Sequence, residues 1–377
     1  MADGCAAECG VFVGKLREMS GMTDIEPGPT RKGRAAATIH DVARRAGVSP
    51  MTVSRVVNGG KNVRDATREA VLSAVKDLQY APNPAARSLA GAGGARVGLL
   101  YSNPSASYLS ELLVGALDES SRKGALLMLE KCELSDPAVE RAAVRKLIQG
   151  GVAGVILPAP LCESQTIRAE LRDADMPMIA LATGLFRSDL SCVRIDEFAA
   201  AHEMTRYLLD MGHRRIGFIK GHPDHTSTGQ RQMGFETAMR ESGCKIDQTL
   251  IAQGYFSYRS GLDAAEELLA LDKLPTAIFA SNDDMAAAVV SVAHRKGLDV
   301  PKDLSVVGFD DTATASTVWP ELTTVRQPIA AMAAIALDLI VVDIQKRKAG
   351  GETKPQDHLA KHKLIVRQSA VAPRLHG

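Results

Sequence analysis

The first patterned stretch of the chain begins at Thr38. Ile39, Val42, Ala43 and Ala46 recur at intervals of three and four, so they share one face of a helix that ends where Gly47 can turn left-handed. Thr38 and Asp41 have the spacing of a capping pair. Ser49 before Pro50 is a cap followed by proline at the first helical position, so a second helix starts at once. Val53, Val56 and Val57 form its inward face; Pro50, Met51, Ser54, Arg55 and Asn58 point outward, with Thr52 at the boundary. A third helix is expected over 65–78, packing through Val71, Leu72, Val75 and Leu78. The prolines in Tyr80-Ala81-Pro82-Asn83-Pro84 break it, and 85–90 leaves room for two further helical turns. So short a helix is marginal alone in water.

From residue 96 the period changes. Short apolar runs at 97–101, 125–129, 152–157, 178–181, 216–219, 277–280 and 304–308 alternate with amphipathic stretches, the pattern of βαβ units around parallel sheets. About 280 residues of this pattern is long for one sheet and predicts two lobes.

Charge sharpens the reading of the first helices. Residues 31–90 hold eleven Lys and Arg against four Asp and Glu, a net +7, whereas the whole chain is +1. A basic module on an acidic body is the electrostatic footprint of a nucleic-acid binder. Two helices joined by a tight glycine turn, the second displaying polar and basic groups, form the helix-turn-helix that lays its second helix in the DNA major groove.

The strings DVARRAGVSPMTVSRVVN and TRE..L..V..L.Y.PN..ARSLAG, with further matches over roughly 38–370, resemble the lactose-repressor (LacI/GalR) family of bacterial transcription regulators. The resemblance implies an N-terminal all-α helix-turn-helix head, a hinge helix, and a two-lobed α/β core like that of periplasmic binding proteins. The expected division is a disordered tail over 1–37, the head over 38–82, the hinge and linker over 83–95, and an effector-binding and dimerisation core over 96–377. The chain is expected to cross between lobes near 192–196, near 318–325, and after a helix from residue 329 to about 346. Where the family commonly has a capping residue before helix three, this chain has Arg64, so either Asp65 caps or Arg64 reaches a phosphate. The residues expected to face DNA are Thr38, Ser49, Pro50, Met51, Thr52, Ser54, Arg55, Asn58, Asn62, Asn83, Ala86 and Leu89. Family hinges wedge a leucine into the minor groove, which matches Leu89; the alternative is a plain linker ending in Gly91-Ala92-Gly93-Gly94.

Small ligands sit between such lobes at the carboxyl ends of strands. Arg231 matches the family's ligand-binding arginine in Arg231-Gln232-Met233-Gly234-Phe235, Asn282 its asparagine in Ala280-Ser281-Asn282-Asp283, and Asp310 its aspartate in 306–311. Together they offer donors and acceptors to the hydroxyls of a sugar-like effector. Each has a plainer alternative: Asn282 or Asp310 as a helix cap, Arg231 as a surface charge. Tyr108 is a further candidate, and Trp319 faces either the cleft or the lobe junction. His213 invites an enzyme reading, but it has no adjacent nucleophile or metal-like partner, and neither a G-x-S-x-G elbow nor a P-loop occurs.

Cys5, Cys9, Cys132, Cys162, Cys192 and Cys244 are scattered without the spacing of a zinc site or disulfide framework, which fits a reducing cytoplasm. No apolar run reaches membrane length, and residues 1–20 lack the features of a secretory signal; Met22 is an alternative start. The reading is a ligand-controlled repressor, without catalysis, cofactor, metal or membrane. It acts as a homodimer on a near-palindromic operator in double-stranded DNA. A dimer is favoured over a tetramer because no apolar heptads follow the core. The alternative, a sugar-binding protein with no DNA role, would need an export signal and no basic head.

Overall fold

The computed structural model describes residues 37–57, 63–78, 80, 94–102, 104–134 and 136–374. The expected tail up to residue 36, nearly all of the hinge, and Asn58, Asn62, Asn83, Ala86 and Leu89 lie outside the described residues. The chain divides after Ala86 into two compact units, a head and a core.

In the head, α1 (Ile39–Ala46) opens with a reciprocal capping box: Asp41 N–H donates to Thr38 Oγ1 at 3.3 Å and Thr38 N–H to the Asp41 carboxylate at 2.9 Å. Gly47 ends it at φ 67°. Helix α2 (Pro50–Val57) starts on Ser49, whose hydroxyl accepts from Thr52 N–H at 3.2 Å. Val42, Ala43, Val53 and Val56 meet Val71 and Ala74 of α3 (Asp65–Asp77) in a small apolar core. The expected face of α3 needs one correction. Leu72 is half exposed and Ala74 takes its place, because residues 71, 74, 75 and 78 share a helical face while 72 stands about 100° round from 71. Arg64 occupies the N-cap position without a side-chain cap, and Asp65 is the first helical residue. Asp65 therefore helps the helix through its dipole rather than as a cap.

The core holds two six-stranded sheets. The first contains β1 (Arg96–Tyr101), β2 (Leu126–Lys131), β3 (Gly154–Pro158), β4 (Met178–Leu181), β5 (Ser191–Ile195) and β11 (Asp357–Ala360), all parallel, in the order β11-β5-β4-β3-β1-β2. The second contains β6 (Ile216–Lys220), β7 (Ile251–Gln253), β8 (Ala277–Ala280), β9 (Ser305–Asp310), β10 (Thr323–Arg326) and β12 (Lys363–Ile365), in the order β12-β10-β9-β8-β6-β7 with only β12 antiparallel. The seven apolar runs all became strands. The other five were harder to see, since β7 and β12 are three residues long and β5, β10 and β11 carry Ser, Thr, Arg, Asp and His.

Crossings between lobes follow β5, as expected, and β10. The second lies at Gln327-Pro328, later than expected, because 323–326 is itself a strand of the second sheet. The third does come after α12 (Ile329–Lys348), but only once β11 has joined the first sheet. Helix α4 (Ala106–Lys123) packs on α12 in the first lobe, and α7 (Glu197–Asp210) packs on α8 (Thr226–Glu241) in the second. Among the described residues no helix is long and apolar enough to cross a membrane.

Candidate functional site

On the head, the exposed side of α2 presents Met51 and Arg55 one turn apart. Among the described residues Arg55 makes no ion pair, whereas Arg44 and Arg45 are engaged by Asp41 and Asp77. Thr38 and Ser49 are exposed, but their hydroxyls serve as caps; Pro50, Thr52 and Ser54 are half-buried. Met51 and Arg55 thus carry the chemistry of this face.

In the core, strands from both sheets run their carboxyl ends into one cleft. From the first lobe its walls carry Ser105 and Tyr108 after β1, Pro158 and Ala159 at the end of β3, and Ala182 after β4, while Glu197, the first residue of α7, comes from the second. The second lobe adds His225, Ser227 and Arg231 after β6, Phe256 after β7, Asn282 after β8, Asp310 at the end of β9, and Gln327 after β10. All four expected core residues, Tyr108, Arg231, Asn282 and Asp310, meet here.

Arg231 is buried, not a surface charge. Its Nε donates to Glu197 Oε2 at 2.7 Å and Nη2 to Glu197 Oε1 at 3.3 Å; Nη1 donates to the Ser281 carbonyl, and Asp310 stands 4.0 Å away. The guanidinium lies 3.7 Å from the centre of the Phe309 ring. Burial works against its charge, but Glu197 and Asp310 outweigh that and hold Arg231 protonated. Asn282 is partly the plainer thing: its Oδ1 caps α10 (Asp283–Arg295) by accepting from Met285 N–H at 3.0 Å, and Nδ2 donates to the Phe256 carbonyl at 2.8 Å. One Nδ2 hydrogen remains for the cleft. Asp310 caps no helix. It accepts from Gln327 Nε2 at 2.6 Å, and burial raises its carboxyl well above the usual range against the pull of Arg231.

Gln327 is the clearest residue that sequence reading missed. An aspartate mainly accepts, so the 2.6 Å contact orients the amide with Nε2 towards Asp310. That leaves Oε1 buried without a hydrogen-bond partner. Glu197 was missed as well. Both follow directly on lobe crossings, which is the signal that would have found them: a crossing segment necessarily borders the cleft.

Of the five non-glycine residues with positive φ among those described, Ala182, Phe256 and Asp310 line this cleft, at 57°, 60° and 114°. Backbone held in sparsely populated conformations collects at ligand sites. Phe256 reaches the cleft because Gly221 lacks a side chain: a Cβ there would overlap the phenyl ring. Gly221→Ala is therefore expected to cost about 1–3 kcal/mol through overpacking, measurable by urea unfolding; a loss well under 1 kcal/mol would mean the ring moves freely.

The remaining polar groups are held neutral or used to join the lobes. Burial lowers His225 to about 3, so its ring is uncharged, and burial together with Asp310 and Glu197 raises Tyr108, whose hydroxyl stays protonated. Glu163 of the first lobe accepts from Thr226 N–H at 3.0 Å and Thr226 Oγ1 at 2.5 Å, so it caps, from across the cleft, the helix that carries Arg231. Ser107 Oγ and Thr314 Oγ1, 3.0 Å apart, make a second bridge between lobes. Trp319 is 73% exposed and does not line the cleft. His213 is buried between Thr276 Oγ1 and the Val371 carbonyl, a structural role. Among the described residues no group of three or more His, Cys, Asp or Glu side chains is arranged to hold a metal.

Two family models match the chain: "Bacterial regulatory proteins, lacI family" over residues 38–83 and "Periplasmic binding protein-like domain" over residues 205–370. Catabolite control protein A of Priestia megaterium is 34% identical over 310 residues, which span 82% of this chain and 93% of that protein. Among solved structures, the lac repressor dimer bound to operator and the anti-inducer ONPF matches with a TM-score of 0.70 and 27% identity, covering 89% of this chain and 99% of that one. The transcriptional regulator CelR in complex with cellobiose matches at 0.66 and 30% identity, covering 88% and 99%.

Proposed function

This chain belongs to the lacI family of bacterial regulatory proteins, and from that premise we propose that it is a cytoplasmic transcriptional repressor whose hold on its operator is set by a small sugar-like effector in the interlobe cleft. The observation that carries the effector half is the convergence of Tyr108, Arg231, Asn282 and Asp310 from distant parts of the chain on one buried cleft that also presents the apolar ring of Phe256. Hydroxyls of a sugar can pair with those polar groups, and its C–H faces can rest on the ring.

The chain acts as a homodimer through its cores, placing two copies of α2 on a near-palindromic operator. The head spans 38–82 and the hinge and linker 83–95, with Leu89 as the minor-groove wedge. On this reading the tail covers 1–37 and the effector-binding and dimerisation core 96–377. Ligand binding alters lobe closure, to which the Glu163–Thr226 and Ser107–Thr314 contacts are sensitive. Closure in turn decides whether the paired hinges order on DNA.

On the operator, Arg55 reads a guanine edge and Met51 a thymine methyl. Arg55→Ala is expected to lose discrimination at one base pair per half-site, about 1–3 kcal/mol there, measured by competition among single-substitution operators. An equal loss on all sequences would make Arg55 a phosphate contact instead. The effector reading is tested by a thermal-shift screen of the full chain against neutral sugars, with nucleobases and amino acids beside them. Stabilisation by a sugar supports it; stabilisation only by another class contradicts it.

A further inference from the structure

We infer that Glu197 is a specificity-determining residue that restricts the cleft to uncharged, hydroxyl-bearing ligands and rejects phosphorylated or carboxylated ones. This rests on reading the cleft as the effector site. Arg231 is the one cationic side chain among the cleft-lining residues, and a buried arginine in a ligand cleft ordinarily invites an anion. Here the invitation is already taken. Glu197, itself 2% exposed, engages Arg231 Nε and Nη2 in a fork, at 2.7 and 3.3 Å, and the Ser281 carbonyl takes Nη1.

What remains open to a ligand includes two acceptors that an anion cannot satisfy. Gln327 Oε1 is buried without a partner, and Asp310 adds a carboxylate at 4.0 Å from Arg231. Glu197 and Arg231 cancel, so Asp310 leaves the lining neutral or negative and never positive. His225, at the N-cap of the helix carrying Arg231, supplies no compensating charge, since burial keeps it neutral. A phosphate ester entering this cleft would lose its water, meet no free cation, and bring more acceptors to groups that need donors. A hydroxyl donates to Gln327 Oε1 and accepts from the spare Asn282 hydrogen, so an uncharged polyol satisfies both sides.

The test compares wild-type full-length chain with Glu197→Gln, following the melting temperature against inorganic phosphate at fixed ionic strength. Any phosphate bound by the basic head contributes equally to both proteins. Expected is a half-stabilising phosphate concentration roughly tenfold or more lower in Glu197→Gln, whose Arg231 is no longer neutralised. No difference between the two proteins overturns the inference. Should Glu197→Gln fail to fold, calorimetry on the wild type decides: glucose is compared with glucose 6-phosphate, and ribose with ribose 5-phosphate. With the inorganic-phosphate titration subtracted as the contribution of the basic head, no phosphate ester should bind more tightly than its neutral parent, and one that does overturns the inference. The phosphate comparison reads the charge of the cleft without assuming an effector. A cleft that binds no neutral ligand of any class would therefore sink the effector reading while leaving this arm to be judged separately.

Discussion

Arg231→Ala is expected to cost the core about 3–5 kcal/mol, the range for removing one member of a buried ion pair. Both Arg231 and Glu197 are almost fully buried, so water cannot replace the lost guanidinium. The Ser281 carbonyl also loses its donor and Phe309 its cation. The loss should depend on pH. Burial already raises Asp310, and the mutation removes the cation that pulls it down. A carboxyl raised in the folded state binds protons there more readily than in the unfolded chain, so folding is favoured as pH falls. The penalty should be largest above neutrality and shrink towards pH 5. Urea unfolding at pH 8 and pH 5 measures both; a loss below about 1 kcal/mol at both values would show that the pair is not buried as described.

Asp310→Ala is expected to lower effector affinity about tenfold or more, since a ligand hydroxyl left unpaired in a dry cleft costs roughly 1–3 kcal/mol. The same change strands Gln327 Nε2, its 2.6 Å partner. Alanine is also disfavoured at the φ of 114° that Asp310 adopts, so some stability will go with it. Asp310→Asn tolerates that backbone better and separates the lost charge from the strain. Operator affinity without effector should remain near wild type in both variants, because the residue belongs to the core and the DNA-reading helix to the head. The alanine variant would then be fixed in its effector-free behaviour: always repressing if the ligand is an inducer, always released if it is a corepressor. Calorimetry with the effector found by screening and gel shifts on the operator, on the same protein, test both halves.

Much of the head was legible because its signals are local. A threonine three residues before an aspartate, a glycine at the end of an apolar face and a serine before proline each specify geometry within one turn, and each formed as read. Leu72 was misplaced because a single polar helix turn does not fix the edge of a packing face. Six of the seven apolar runs announced interior strands with largely buried side chains, while the seventh became the exposed edge strand β2; β10, β11 and β12 are edge or near-edge strands with polar residues and carry no such run. In the cleft, Arg231, Asn282 and Asp310 were found through family motifs, not through their chemistry. Glu197 and Gln327 stayed hidden because their roles exist only in three dimensions: one acts through Arg231, 34 residues away, and the other through Asp310, 17 residues away.

The central claim is that one chain couples an operator-reading head to an effector-binding cleft. The direct measurement is operator affinity by fluorescence anisotropy, using a selected near-palindromic site, without and with saturating effector, beside effector affinity without and with saturating operator. The account predicts that each ligand changes the affinity for the other by the same factor, roughly 5–150-fold, as linkage requires. An effector that binds the cleft yet leaves operator affinity unchanged would contradict it.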